Sequence, residues 1–448
     1  MSLTLEITGL AYGGSGIGRD AGKVVFVPFT APGDVIEAEV TKEKKRYSEA
    51  RLRKILTPSP IRDEPLCPVY SRCGGCDLQH IRYSEQVLWK ERIFSETLKR
   101  IGGLILPPLD PPVPSESTFH YRSKVRFHVK GGRWGFFRKG TVEVVDISGC
   151  PIADPLINSA FTRIRSLIAR DAAMKSLEGY ISSVEIGVSP QDERVVASIT
   201  LRRPLQGIQW ASLLSAVDLL KGLEAGVASS GGRGRVLYKG GDRELLYKTR
   251  GLTMSAPLGS FAQINRAQNE RLIERVLDYA SLKGDEKIIE LFCGAGNLTF
   301  HLAPFSARLQ ALDSDEEAIR RAGQWALAAN GAISGLEFVA MESARWLEEN
   351  LKKLETSGVN MVVLDPPREG DSEAIELLSR LRPSSVIYVS CSPPTMARDL
   401  KILAEAGYIV KRASIVDMFP QTGHIEGVAL LSFEKKKAGQ RKPVSVNL

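Results

Sequence analysis

Over the first 57 residues apolar and polar positions alternate in short runs, at 3–10, 23–29, 35–41 and 47–55. Gly13-Gly14-Ser15-Gly16, Pro32-Gly33-Asp34 and Pro58 interrupt them. Period-two patterning broken by glycine turns predicts strands, and strands this short fit a small five-stranded barrel of the OB type, a frequent nucleic-acid binder. The period then changes. Val87, Leu88, Ile93, Phe94, Leu98 and Ile101 recur at helical spacing and stop at Gly102-Gly103. A proline-rich connector runs from Pro107 to Pro114. A hairpin turning at Gly131-Gly132, a helix near 155–169 and strands near 182–201 and 235–249 are expected next, with 229–234 a mobile loop. From 253 on the pattern is a strong amphipathic helix (266–280) followed by short, continuously apolar runs at 287–291, 308–312, 361–364 and 386–389. Runs apolar on both faces are what parallel strands covered by helices look like. The expected fold is therefore multidomain α/β: an OB-like barrel (1–57), a central α+β domain (58–252) and a Rossmann-like sheet domain (253–448).

Charge adds a partner class. The chain of 448 residues carries a formal net charge of +8, which favours a polyanion such as nucleic acid. Two stretches concentrate it. Residues 42–54 hold Lys42, Lys44, Lys45, Arg46, Arg51, Arg53 and Lys54 against Glu43 and Glu49. The segment 119–139 holds seven Lys or Arg and no acid, interleaved with six aromatics. The aromatics read as core and the cations as phosphate contacts for RNA. The N-terminus lacks a basic-then-apolar leader pattern and no apolar run approaches the ~20 residues of a membrane span, so a cytoplasmic protein is expected. A monomer is the default, since one site per chain suffices. Six cysteines are too few for a disulfide scaffold.

Those cysteines carry chemistry instead. Cys67, Cys73 and Cys76 fall within ten residues, the last two separated by Gly-Gly, and Cys150 can supply a fourth thiolate. Four thiolates suit a [4Fe–4S] cluster or a structural zinc, and spacing alone leaves both open. His80 is close in sequence and reads as a supporting group. Radical chemistry on S-adenosylmethionine (SAM) fits poorly, because it needs three cysteines that leave one iron open. Cys391 is different. It ends the run 386–389 just before Pro393-Pro394, so it sits at the carboxyl end of a strand, the edge where open α/β sheets bind ligands. Three further motifs address that edge: Glu290-Leu-Phe292-Cys293-Gly294-Ala-Gly296-Asn297, a strand entering a glycine loop; Asp313-Ser-Asp315, an acid about 20 residues on; and Asp365-Pro366-Pro367-Arg368. The glycine loop lacks a third glycine and is no dinucleotide fingerprint; loop and acid together fit the SAM-binding version of the sheet. Glu426 borders the apolar run 428–431, where partial desolvation would make it basic enough to take a proton.

Taken together the chain resembles the RNA 5-methyluridine methyltransferases of the RumA type. The resemblance is carried by Cys-x5-Cys-Gly-Gly-Cys (67–76), Gly-x-Phe-x-Gln-x-Asn (259–265), Leu-Phe-Cys-Gly-x-Gly-Asn (291–297), Asp-Pro-Pro-Arg (365–368), Ser-Cys-x-Pro-x-Thr-x-Ala-Arg-Asp (390–399) and Met-Phe-Pro-x-Thr-x-His-x-Glu (418–426). It implies a TRAM-type barrel at the N-terminus and a [4Fe–4S] cluster on Cys67, Cys73, Cys76 and Cys150. It implies a SAM site lined by Gln263, Phe292, Asn297, Asp313, Glu342 and Asp365, with Cys391 as nucleophile and Glu426 as proton acceptor. The cysteine motif points to the branch that methylates uracil in 23S ribosomal RNA, with tRNA as the alternative substrate. A non-catalytic RNA-binding protein with a relic SAM fold is the reading from another class; such a relic need keep neither Cys391 nor Glu426. Ser392 and Gln421 depart from the family's usual Asn and His, with base positioning or target choice at stake. Thiolate chemistry further predicts surroundings that lower the pKa of Cys391.

Overall fold

A computed structural model describes residues 2–170, 175, 177–189, 194–202, 223–229, 236–238, 244–257, 260–328 and 334–434. The expected loop 229–234 beyond Ser229, the glycine of the 259–265 motif and the basic tail after Glu434 lie outside them. The chain forms two compact units. One takes residues up to Ile93, Pro114–Arg271 and Asp417–His424; the other takes Phe94–Val113, Leu272–Val416 and the chain from Ile425 on.

The first unit opens with six strands, β1 (Ser2–Glu6), β2 (Gly9–Leu10), β3 (Ser15–Asp20), β4 (Lys23–Pro28), β5 (Val35–Glu43) and β6 (Tyr47–Thr57), in the order β1-β5-β6-β4-β3-β2. Leu5, Ile7, Val25, Val27, Ile36, Ala38 and Ala50 form its core. The glycine loop read as a turn contains a strand. Gly16 on β3 sits where a Cβ would strike the Thr30 side chain and Ile7, so the glycine there serves close packing. A second sheet of this unit comprises β7 (Lys124–Lys130), β8 (Arg133–Phe137), β9 (Val144–Asp146), β10 (Ile181–Ser189), β11 (Arg194–Leu201), β12 (Leu223–Ser229) and β13 (Val236–Tyr238). Its order is β13-β12-β11-β10-β7-β8-β9. The hairpin turns at Gly131 and Gly132, both with positive φ, between Lys130 and Arg133. The helix Pro155–Arg170 lies against this sheet, with Phe127 stacked on Phe161 at 4.1 Å between ring centroids. Phe127 and Trp134 are thus core, as the alternation of the basic segment suggests. A two-stranded ribbon, β14 (Glu244–Thr249) with β15 (Leu252–Pro257), follows.

The second unit is built on β16 (Lys287–Leu291), β17 (Arg308–Asp313), β18 (Leu336–Ala340), β19 (Met361–Leu364), β20 (Ser385–Ser390), β21 (Tyr408–Val416) and β22 (Glu426–Phe433). The order is β18-β17-β16-β19-β20-β22-β21, with β16 to β20 parallel and β21 and β22 antiparallel to their neighbours. Strand order reverses between β16 and β19. Loops leaving their carboxyl ends diverge there and open a crevice, the usual ligand position in such sheets.

Candidate active site

Register brings the two catalytic candidates together. In the antiparallel pair of β20 and β22, Ser390 faces Gly427. Cys391 follows the first and Glu426 precedes the second, so these residues, 35 apart in sequence (426 minus 391), are cross-strand neighbours at the sheet edge. Asp365 reaches the same edge, because Leu364 pairs with Tyr388 in parallel. The helix Pro393–Glu405 begins on two prolines directly after the thiol. It also braces the loop from Asp365. Thr395 Oγ1 donates to the Arg368 carbonyl at 2.8 Å and Arg398 Nη2 to the Glu369 carbonyl at 3.0 Å. The buried Tyr388 hydroxyl donates to Asp399 at 2.6 Å and ties the helix to β20. Ser392 shares a hydrogen bond with Thr395 (2.8 Å) and takes the N-cap position of this helix, so its hydroxyl bonds within the loop.

The electrostatics correct one expectation. Burial, then Glu426 and Asp365, push the Cys391 thiol up to about 11, with Arg368 pulling the other way. The environment therefore raises the thiol's pKa instead of lowering it, because the register that delivers Glu426 delivers a like charge. Glu426 is buried, and desolvation with Asp365 beside it raises its carboxyl well above the usual range, in the direction expected of a proton acceptor. Burial holds Asp365 at about 6.

The other edge residues are built by the glycine loop. Phe292 and Gly294 adopt positive φ, and at Gly296 a Cβ would meet the Phe300 ring. Asp313 Oδ2 accepts the Gly294 N–H at 2.8 Å, and its Oδ1 accepts from Asp315 N at 2.8 Å. The acid expected to meet a ribose thus also fixes the loop. Asn297 is half-buried just before the helix Thr299–Leu302. Glu342 is exposed at the N-cap of the helix Ser343–Ser357 without capping it; the preceding Met341 N–H donates to the Asp313 carbonyl. Gln263 belongs to the first unit, half-buried ahead of the helix Arg266–Ala280. Two residues that sequence reasoning gave no role belong to this edge. Arg368 is the cation facing Cys391 and Glu426. Glu290, in β16, is buried with Oε2 unpartnered, and burial raises it to about 8. An acid inside an apolar strand was the visible signal for it.

In the first unit Cys67, Cys73, Cys76 and Cys150 line one cavity of about 60 Å³, together with Tyr70, Gln79, Arg122 and Phe136. Burial raises all four thiols, Cys73 to about 11 and Cys76 to about 12. Backbone N–H groups oppose this at three sulfurs: Val69 and Tyr70 at Cys67, Gly75 at Cys73, Ile152 and Ala153 at Cys150. Among the described residues no three His, Cys, Asp or Glu side chains converge as a single metal ion requires. His80 is turned to Tyr70, its Nδ1 2.6 Å from that hydroxyl.

The segment Asp417–His424 is fastened within the same unit. Lys90 Nζ donates to Asp417 at 2.7 Å and to the Phe419 carbonyl at 2.9 Å, with both charged side chains buried. Tyr121 donates to the Pro420 carbonyl, and Asp77 and Leu78 N–H both donate to the Gln421 carbonyl. Gln421 itself is buried at φ +69 and exchanges two amide hydrogen bonds with Gln86. Gln421, the departure from His, thus takes part in anchoring this segment. The basic segment 119–139 is less free than its sequence suggests. Arg126 pairs with Glu185, Arg133 and Arg138 with Glu143, and Lys139 with Asp77, acids that lie outside it in sequence.

The tRNA (uracil-5-)-methyltransferase family model matches residues 108–434 and the TRAM domain model residues 2–52. An RNA methyltransferase of Aquifex aeolicus is 35% identical over 96% of this chain and 98% of its own. The 23S rRNA (uracil(1939)-C(5))-methyltransferase RlmD of Shewanella woodyi is 31% identical over 96% of this chain and 95% of its own. Among solved structures, the Pyrococcus abyssi tRNA (uracil-54, C5)-methyltransferase in complex with S-adenosyl-L-homocysteine aligns with a TM-score of 0.74 at 26% identity, covering 95% of this chain and 99% of its own. Among the described residues no helix is long and apolar enough to cross a membrane. With its sheet edge, its TRAM strands and these full-length similarities, the chain belongs to the tRNA (uracil-5-)-methyltransferase family of SAM-dependent RNA (uracil-5-)-methyltransferases.

Proposed function

We propose that this protein methylates C5 of one uridine in 23S ribosomal RNA, with Cys391 as nucleophile and Glu426 as proton acceptor. The observation that carries the reading is the β20–β22 register, which sets a thiol beside a buried, basic carboxyl at the ligand edge of the sheet. Uracil C5 is a weak nucleophile. Addition of the Cys391 sulfur to C6 gives an enolate and moves electron density to C5. SAM supplies the methyl group. Glu426 then takes the C5 proton, and the electron pair of that C–H bond restores the ring double bond as the Cys391 sulfur leaves. The thiol is protonated at rest, so its proton passes to water before the sulfur adds to C6, with Arg368 favouring the thiolate, and Glu426 stays ionised for the C5 proton. Phe292, Asn297, Asp313, Glu342 and Asp365, with Gln263, are the residues assigned to SAM. A ring carbon inside a stack is covered, so the target nucleotide must be unpaired or flipped out.

The cofactor assigned to Cys67, Cys73, Cys76 and Cys150 is a [4Fe–4S] cluster. The donor set fits it: four thiols line one cavity, and backbone N–H groups are directed at three of the sulfurs. It would join segments 74 residues apart (150 minus 76) in the first unit and supply structural cross-linking. The 23S assignment is favoured by relatives named for that RNA at 30–31% identity. The likeness to the archaeal enzyme favours tRNA as the second reading. Labelled SAM offered with unmodified 23S RNA and tRNA separately decides between them. Label recovered as 5-methyluridine in 23S RNA is the expected result; label in tRNA moves the substrate and keeps the mechanism, and label in neither overturns the proposal.

A further inference from the structure

Among the described residues of the first unit, Arg122 is a cation without a carboxylate partner. Arg122 lines the four-cysteine cavity. Its Nε is sealed from solvent and has no hydrogen-bond partner. Among the described residues no carboxylate pairs with it; the groups that act on its charge are Tyr121, which hydrogen-bonds its side chain, then Cys150 and Cys76. The guanidinium carbon stands 5.9 Å from the Tyr121 ring centroid. The residue is also fixed by its backbone. Its N–H donates to the Ile152 carbonyl at 2.9 Å, and its carbonyl accepts from Asp154 N at 3.0 Å, both within four residues of Cys150. Other cations of the same basic segment, Arg126, Arg133, Arg138 and Lys139, have acid partners. Arg122 is set apart.

A guanidinium withdrawn from water without an anion is costly, and so is a donor left without an acceptor. Four protonated thiols would offer neither. We propose that Arg122 is the charge partner of the four-cysteine centre, compensating a net negative cluster and giving its Nε–H an acceptor among the sulfurs. The proposal rests on the cluster reading given above. A [4Fe–4S] core of charge 2+ held by four thiolates carries a net charge of −2, and one electron makes it −3. A fixed cation beside it favours the more negative state and so raises the reduction potential; hydrogen bonds to sulfur act in the same direction. Arg122 would thereby keep the cluster charge buried and in place at a point where Tyr121, its chain neighbour, holds the Pro420 carbonyl.

The test is a reductive titration with dithionite of anaerobically purified full-length protein. The cluster is followed by absorbance near 400 nm and by electron paramagnetic resonance, and its iron is released by a chelator in a parallel series. Arg122→Met and Arg122→Gln both remove the charge, and the second keeps a donor. Both are expected to shift the midpoint potential to more negative values and to lose iron to the chelator several-fold faster. Arg122→Lys is expected to restore most of the potential. Iron-loaded variants with unchanged midpoint and unchanged iron loss overturn the role of Arg122 and leave the cluster reading standing. Wild-type protein without iron overturns both. If Arg122→Met does not fold, the Arg122→Gln and Arg122→Lys pair carries the comparison.

Discussion

Cys391 and the four cysteines of the first unit are all raised by burial, yet their neighbours have opposite signs. Around Cys391 stand Glu426 and Asp365, opposed by Arg368. Around Cys67, Cys73, Cys76 and Cys150 stand Arg122, Arg72 and directed backbone N–H groups. The contrast agrees with the roles proposed for the two kinds of sulfur. A transient nucleophile is served by carboxylates that can receive protons nearby, even though they hold the resting thiol protonated. Sulfurs that keep an anionic centre need donors and a cation at all times.

The largest expected effect separates the two kinds of thiol. Cys391→Ser should cost on the order of 10³-fold or more in methyl transfer while leaving melting unchanged. Cys150→Ser should release iron and lower the melting temperature. Equal behaviour of the two variants in both assays would erase the distinction. Glu426→Gln, which keeps the shape and removes the base, should arrest the reaction after methyl transfer. A protein–RNA adduct stable on a denaturing gel, formed with RNA and SAM, is the expected result, and full turnover would remove Glu426 from its role. Arg368→Gln removes the cation beside Cys391. Alkylation of that residue, read by mass spectrometry of its peptide, should slow a few-fold at neutral pH, as loss of one nearby charge predicts. The smallest effect concerns Glu290. Its carboxyl keeps a proton to about pH 8 when folded, against 4.5 for an ordinary glutamic acid. The folded state therefore binds more protons across that window, and stability is highest below it and falls as pH rises through about 8. Glu290→Gln should flatten that fall by roughly 2–4 °C in melting temperature, measured across the window.

Several of these features could be read before folding was known, and others could not. The β-branched run ending at Ser390 announces a strand, and Pro393-Pro394 announces a helix start, because φ/ψ preference acts within a few residues. Gly13 to Gly16 read as a turn and conceal the start of β3, since a glycine needed for close packing looks like one needed for positive φ. The basic segment 119–139 read as unpaired because its acids, Glu143, Glu185 and Asp77, lie outside it in sequence. The departure at Gln421 was legible in sequence, but its partners Gln86, Asp77 and Leu78, more than 300 residues away, were not.

The sequence by itself determined which chemical groups stand at the ends of the buried strands: Cys391 after β20, Asp365 after β19, Asp313 at the end of β17 and the glycine loop after β16. Strand ends follow from patterning that any ten-residue window displays. The tertiary structure decided which of these groups face one another and with what sign. Cys391 acquires Glu426 through a strand register, and Arg122 acquires four cysteines through a cavity. Charge acts through space and is strengthened by burial, so neither a pKa nor a partner could be read from order along the chain.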